Sequence, residues 1–331
     1  MEHNAQQEVT PGIWRLPLSL KEHSVGHVNV YALLNQTGVV LIDTGWGTAA
    51  SWAALDSSLN AIGASARDVI RVLLTHFHAD HCGSAGDLQA RWGARVGMHR
   101  DDSQHLAERY FQHASTYRNR TLKWSRETGA PLELALAAVA LNRSSAARMR
   151  HLRPDDEIED GGVTRHGSWR LTALHTPGHT PGHLCFYEET TRTLFSGDHI
   201  LPYINTSPGV RPHSSAYPVA DYLSSLDRLA ELSVARVLPG HQDPFVHLVD
   251  RVASLRAHHQ QRLALTEQLV SEGLDTVWKV TRAIPRSRQW NELSDQGKIS
   301  ALGETYAHLR HLTSGRALTV LPGPTPRWVA D

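Results

Sequence analysis

The chain reads as an α/β protein. Short apolar strands alternate with helical stretches, this pattern occurs in two separate halves, and polar loops rich in histidine follow several strands. Residues 12–18, 26–34 and 38–43 are short β-branched bursts closed by Thr44-Gly45-Trp46-Gly47, and they predict successive strands of a meander. A helix over about 48–62, with Trp52, Leu55 and Leu59 at helical spacing, precedes a buried strand at 69–74 that runs directly into Thr75-His76. After a helix at about 84–92 and a short strand near Val96, residues 101–150 turn strongly helical and read as an insertion. Its aromatics Tyr110, Phe111, Tyr117 and Trp124 are assigned to local packing, and the insertion itself to a lid that sets substrate size.

The strand pattern returns at 168–174, 183–187 and 193–195, interrupted by the turn-rich 176–182. A helix over about 219–232 carries Tyr222, Leu226 and Leu229 on one face, and a strand at 234–238 ends at Pro239-Gly240-His241. The remaining residues predict three helices (about 248–273, 276–284 and 293–312) and two extended runs around Pro322-Gly323-Pro324, the element order of a winged helix. The expected organisation is a catalytic domain over 1–247 and a winged-helix-like domain over 248–331.

Lys plus Arg (33) equals Asp plus Glu (33), so no global field calls for a polyanion or a membrane surface. Two cysteines, Cys82 and Cys185, cannot build a disulfide framework, and residues 1–16 lack a basic segment followed by an apolar one. A cytoplasmic location is the expectation, with no membrane partner, since no run approaches the roughly 18 to 20 apolar residues of a bilayer span. Histidine, at 22 copies among 331 residues, is the unusual component.

Thr75-His76-Phe77-His78-Ala79-Asp80-His81 follows an apolar strand and places three imidazoles and a carboxylate in one loop, donor types that divalent metals use. Three further places join it. His179 lies in Thr176-Pro177-Gly178-His179-Thr180-Pro181-Gly182-His183, Asp198 ends Leu194-Phe195-Ser196-Gly197-Asp198, and His241 ends Leu238-Pro239-Gly240-His241. His76, His78, Asp80, His81, His179, Asp198 and His241 make seven donors, more than one tetrahedral zinc uses, so two metals are the natural count.

These blocks, with Asp43-Thr44-Gly45, resemble the signature of the metallo-β-lactamase superfamily over about residues 10–245. The tail, with His258-His259 opening one helix and Thr276-Val277-Trp278 the next, resembles the winged-helix domain appended to one hydrolase branch. The resemblance implies an αββα sandwich with two divalent ions at the strand ends, zinc first and iron or manganese as alternatives. It implies that His76, His78 and His179 hold one ion, that Asp80, His81 and His241 hold the other, and that Asp198 bridges both. Asp43 would orient the metal loop rather than ligate, and His175 and His183 could support it.

The chemistry so implied is hydrolysis by metal-activated water, with Asp80 orienting the nucleophile and no serine or cysteine nucleophile. Cys82 is assigned to packing. The seven-donor set resembles that of glyoxalase II, without its recognisable glutathione-binding elements. Asp198 stands where the best-known lactamases carry cysteine or lack the bridging ligand, which argues against lactamase activity. Tyr203 follows Asp198 closely and is a candidate catalytic group that could bind an oxyanion or protonate a leaving alcohol, as in lactone-cleaving relatives; His213 and Tyr217 are similar candidates. The expected substrate is a thioester or ester of a small acyl group. A lactonase, a single-stranded RNA endonuclease and a non-catalytic metal-binding regulator are the alternatives. Eleven basic against seven acidic residues from Arg251 onward give nucleic acid only mild support, and a homo-oligomer is compatible with the chain.

Overall fold

The computed structural model describes residues 5–19, 26–111, 114–149, 151–211 and 214–330. A seven-stranded sheet is formed by β1 (Gln7–Thr10), β2 (Ile13–Ser19), β3 (His27–Asn35), β4 (Gly38–Ile42), β5 (Val69–Leu73), β6 (Arg95–Met98) and β7 (Asp156–Glu157), in that order. Its first four strands are antiparallel and the remainder run parallel to β4. A five-stranded sheet is formed by β8 (Val163–His166), β9 (Trp169–His175), β10 (Leu184–Glu188), β11 (Thr193–Gly197) and β12 (Arg236–Pro239), in reverse chain order across the sheet.

Side-chain alternation along each strand builds the layers. In β3, Tyr31 and Leu33 face the second sheet, while Val28, Val30 and Ala32 face helices α1 (Ala49–Ala61) and α3 (Ala85–Trp92) through Leu55, Leu59 and Leu88. β4 repeats the pattern, with Val40 and Ile42 turned inward and Val39 and Leu41 outward. From the second sheet, Leu184, Phe186 and Phe195 fill the space between the sheets, whereas Cys185 and Leu194 face α7 (Pro218–Ala230) and the start of α8 (Leu248–Ser271). The result is an αββα sandwich, as expected, in which each fully buried aliphatic side chain is worth about 1.5–3 kcal/mol. Thr48 caps α1 by accepting from Ser51 N, and Pro218 opens α7 at a position where its missing N–H costs nothing.

The insertion contains α4 (Arg100–Leu106), a π-helical turn, α5 (Ala114–Thr128) and α6 (Leu132–Arg148). After α8 come α9 (Val277–Ala283), α10 (Asp295–Ser314) and a hairpin of β13 (Leu318–Leu321) and β14 (Arg327–Ala330), the expected three helices and hairpin. Trp124, Leu134 and Ala138 of the insertion pack in one apolar cluster with Val277, Val280, Leu302, Leu309 and Trp328 of the tail. Trp124 therefore packs against a distant segment rather than only locally, and its indole N–H also donates to Val210 O at 2.9 Å. Among the described residues no helix is long and apolar enough to cross a membrane.

Candidate metal centre

All seven predicted donors lie at one edge of the sandwich, at or beyond the C-terminal ends of β5, β9, β11 and β12. From β5 the chain runs through Thr75, His76 and Phe77, and an extended His78 then starts a single helical turn, α2 (Ala79–Cys82). Asp80 and His81 thus sit on a helix turn rather than in a loop, since His81 N and Cys82 N both donate to His78 O at 3.0 Å. The turn brings Asp80 and His81 beside His241, while His76 and His78 lie beside His179, so the motif contributes to two donor groups.

In the first group, His76 Nε2 and His179 Nε2 each lie 3.0 Å from His78 Nδ1. In the second, His241 Nε2 lies 3.3 Å from His81 Nε2 and 3.4 Å from Asp80 Oδ2, with Asp80 Oδ2 3.8 Å from His81 Nε2. Asp198 stands between them. Its Oδ1 is 3.4 Å from His81 Nε2 and 3.5 Å from His241 Nε2, and its Oδ2 is 3.6 Å from His179 Nε2. Donors around a tetrahedral ion with bonds of 2.0–2.1 Å are about 3.3 Å apart, so both groups are spaced for one ion each.

The protons on the outer nitrogens show that the donor sets suit a cation. His241 Nδ1 is 2.6 Å from His27 O, a carbonyl that can only accept, so Nδ1 carries the proton. His81 Nδ1 similarly donates to Asp43 Oδ2 at 2.7 Å. In the neutral rings the two Nε2 atoms then face each other as bare lone pairs beside Asp198 Oδ1, a buried oxygen with no hydrogen-bond partner among the described residues. That arrangement is repulsive until positive charge enters, which a bound cation would supply.

The electrostatics agree. Burial, reinforced by neighbouring imidazoles, holds His76 and His78 well below the ordinary histidine range, in the neutral ligating form. Burial likewise takes His179 down to about 4 despite the opposing charge of Asp198. Burial would raise Asp198, but the His241 and His81 charges outweigh it and hold the carboxyl well below its usual range. For His241 burial is overcome by Asp198 and Asp80, which raise it to about 10. Under the Asp198 and Asp80 carboxylates the His241 imidazole draws a proton strongly, and a metal cation would answer the same field.

Asp43, immediately after β4, has a left-handed backbone (φ 61°), a conformation that aspartate tolerates, and accepts from Thr75 N at 2.9 Å and Thr75 Oγ1 at 2.8 Å as well as from His81. These bonds tie the exit of β5 to the α2 turn. Gly240 is a required glycine, because a Cβ there would sit 2.6 Å from Asp198 Oδ1 and 2.8 Å from the His81 ring. β3 holds this turn: Asn29 N donates to Gly240 O at 2.7 Å, and Tyr31 OH donates to Pro239 O at 2.8 Å.

Other expectations fare differently. Tyr203 does not join the buried donors. It is 79% exposed, its backbone N–H is tied to Gln242 Oε1 at 3.1 Å, and the Arg251 guanidinium holds the flanking carbonyls of Leu201 and Ile204, which leaves the phenol on the surface. Tyr217 is half exposed beneath the Arg310 guanidinium, and His213 lies outside the described residues. His175 spends Nε2 on Pro181 O at 2.8 Å and stacks on His99, while His183 is buried beside His76 with Nδ1 on Thr176 Oγ1. Burial pushes the Cys82 thiol up, and Cys82 Sγ packs against Met149 Sδ, which fits a packing role.

Asp102 was not anticipated. Fully buried at the start of α4, it accepts from Phe77 N at 3.0 Å, Thr180 Oγ1 at 2.7 Å and Gly182 N at 2.6 Å, and so ties the His76-His78 segment to the His179 turn. In sequence Asp101-Asp102 looks like an ordinary acidic helix start, because its partners are up to 80 residues away. Arg109 and Arg211 were also missed; both line the cavity that opens on His78 and His179.

Residues 23–241 match the model of the metallo-beta-lactamase superfamily. The chain is 26% identical over 297 residues to the bovine (Bos taurus) acyl-coenzyme A thioesterase MBLAC2, covering 87% of this chain and 98% of that protein. Among solved structures it is similar to a metallo-beta-lactamase family protein of Thermus thermophilus, TTHA1429, with a TM-score of 0.84, 30% identity, and coverage of 98% of this chain and 100% of that one. A beta-lactamase domain protein of Burkholderia ambifaria is also similar, with a TM-score of 0.80, 25% identity, and coverage of 98% and 95%. The donor geometry, the fold and these relationships agree, and the chain belongs to the metallo-beta-lactamase superfamily.

Proposed function

We propose that this protein is a dinuclear metal-dependent hydrolase that cleaves a thioester or ester of a small acyl substrate. The observation that carries this reading is Asp198, whose two carboxyl oxygens turn to opposite histidine groups, Oδ1 toward His81 and His241 and Oδ2 toward His179. His76, His78 and His179 would hold one ion, Asp80, His81 and His241 the other, with Asp198 shared between them; zinc suits these nitrogen and oxygen donors best. When bound, two such ions supply a nucleophilic hydroxide at neutral pH and polarise the acyl oxygen.

The chain's own residues do the positioning. Asp80, the partly exposed carboxylate of the second group, accepts a hydrogen bond from the attacking water and fixes its approach. Asp43 and His27 O keep the Nδ1 protons of His81 and His241 in place, so that the Nε2 lone pairs face inward. The cavity wall formed by Phe77, Trp124, Ala138, Leu141 and Ile299 excludes water around an acyl chain. Ile299 and Gln296 come from α10, which gives the tail a part in the pocket. We assign residues 1–247 to the catalytic domain and 248–331 to a winged-helix-like domain.

A thioester substrate is supported by the similarity to MBLAC2, an acyl-coenzyme A thioesterase. The test is hydrolysis by the zinc-loaded protein across matched acyl thioesters, aryl esters and lactones. Turnover of the thioesters and esters supports the reading, and turnover of none of them overturns it.

A further inference from the structure

We propose that the cavity beside the metal centre contains an oxyanion subsite formed by Arg109 and Arg211, and that the substrate carries a carboxylate or phosphate group there. This inference rests on the hydrolase reading above and specifies its substrate class.

Arg109 lies on the π-helical turn after α4, and Arg211 on the segment between β11 and α7; both line the same cavity as His78 and His179. The lining residues include these two guanidinium groups and no carboxylate. Among the described residues neither arginine makes an ion pair with an acid. Arg109 is held rigidly, its Nε donating to Asn142 Oδ1 at 2.9 Å and its guanidinium resting on the rings of Phe77 and Tyr110 at 5.5 and 5.1 Å. Arg211 has one terminal nitrogen on Ser300 Oγ at 3.3 Å, while its enclosed Nε has no partner among the described residues.

A guanidinium group does not discharge under these conditions, so two of them in one partly desolvated pocket repel each other until an anion is shared between them. Burial first, and then the charge of Arg109, bring Arg211 down to about 10. The planar forks suit the two oxygens of a carboxylate or phosphate better than a point charge does. The same lining carries the apolar side chains of Trp124, Ala138, Leu141 and Ile299. The pocket therefore takes an amphipathic group: a short hydrocarbon with an oxyanion, next to the donors that would hold the metal.

The two sources of the oxyanion are the acyl chain and the leaving group. Valeryl and glutaryl thioesters of one neutral thiol differ only in a terminal carboxylate. Valeryl thioesters of pantetheine and phosphopantetheine differ only in a phosphate on the leaving group. The zinc-loaded protein should prefer the anionic member of one pair by at least about tenfold in kcat/KM, and Arg211→Gln or Arg109→Gln should cut that preference below about threefold, with Arg211→Lys restoring part of it. A preference in the first pair places the anion on the acyl chain, and one in the second places it on the leaving group; either supports the subsite. Hydrolysis with no preference in either pair overturns the subsite while leaving the hydrolase reading intact. If no thioester is cleaved, calorimetry with glutarate and valerate decides the matter separately. Tighter glutarate binding that disappears in Arg211→Gln upholds the subsite, and equal binding of the two acids overturns it.

Discussion

Asp43 Oδ2 lies 2.7 Å from His81 Nδ1, and the same carboxylate accepts from both Thr75 N and Thr75 Oγ1. One side chain at the end of β4 thereby fixes the exit of β5 and the tautomer of a histidine on the next helical turn. Asp43→Asn has fewer acceptor sites for these three donors. We expect affinity for the more weakly held metal to fall by about 10- to 100-fold, the usual cost of losing such an orienting partner. Competition with a chromophoric chelator measures this; wild-type affinity in the variant would remove Asp43 from the account.

Asp80→Asn keeps the size of the side chain and removes its charge. Turnover should fall at least about a hundredfold, on the scale of a lost positioned catalytic group, with the far-ultraviolet circular dichroism unchanged. Near-normal turnover contradicts the role of Asp80 in orienting water.

The seam between α8 and α10 should respond to acid. His308 donates from Nδ1 to Glu304 O at 2.9 Å, and His259 Nδ1 lies 3.2 Å from His308 Nε2, so the pair is built for two neutral rings. Burial lowers each to about 3 in the folded chain, against 6.5 for a free imidazole. A histidine lowered in the folded state favours folding above its unfolded value, and that stability is lost as pH falls from about 6.5 toward 3, with a slope of up to about 1.4 kcal/mol per pH unit for each ring. Urea midpoints of the metal-loaded protein between pH 7 and 5.5 should decline, and His308→Gln should flatten the decline. A slope unchanged in the variant contradicts the assignment.

Leu302 of α10 is fully buried in the cluster shared by the tail and the insertion. Leu302→Ala should cost about 2–5 kcal/mol. Because Trp124 and Trp328 lie in the same cluster, their fluorescence should report the loss in a single transition. Two separate transitions would show that insertion and tail do not share a core.

Much of the sandwich was legible because strand periodicity and β-branched bursts are local signals, and the three helices and hairpin of the tail follow their patterns closely. β1, β7 and β8 were not foreseen, being strands of two to four residues whose pairing comes from their neighbours. Four of the seven donors lie within one heptapeptide, and His179, Asp198 and His241 each directly follow a glycine; all seven converge. The helical turn carrying Asp80 and His81 was hidden because four residues hold too little periodicity to read. Asp102, Arg109 and Arg211 act across long chain separations, where only folding reveals their partners. Tyr203 was misplaced because nearness in sequence to Asp198 says nothing about which way a tethered loop turns its side chain.

Metal content per chain is the most direct test of the central claim. Elemental analysis of the purified, active protein should find two divalent ions per chain, and Asp198→Ala should retain fewer than two while still folding. Full activity with one ion or none, or an Asp198→Ala protein that keeps both, would contradict a shared carboxylate between two metal sites.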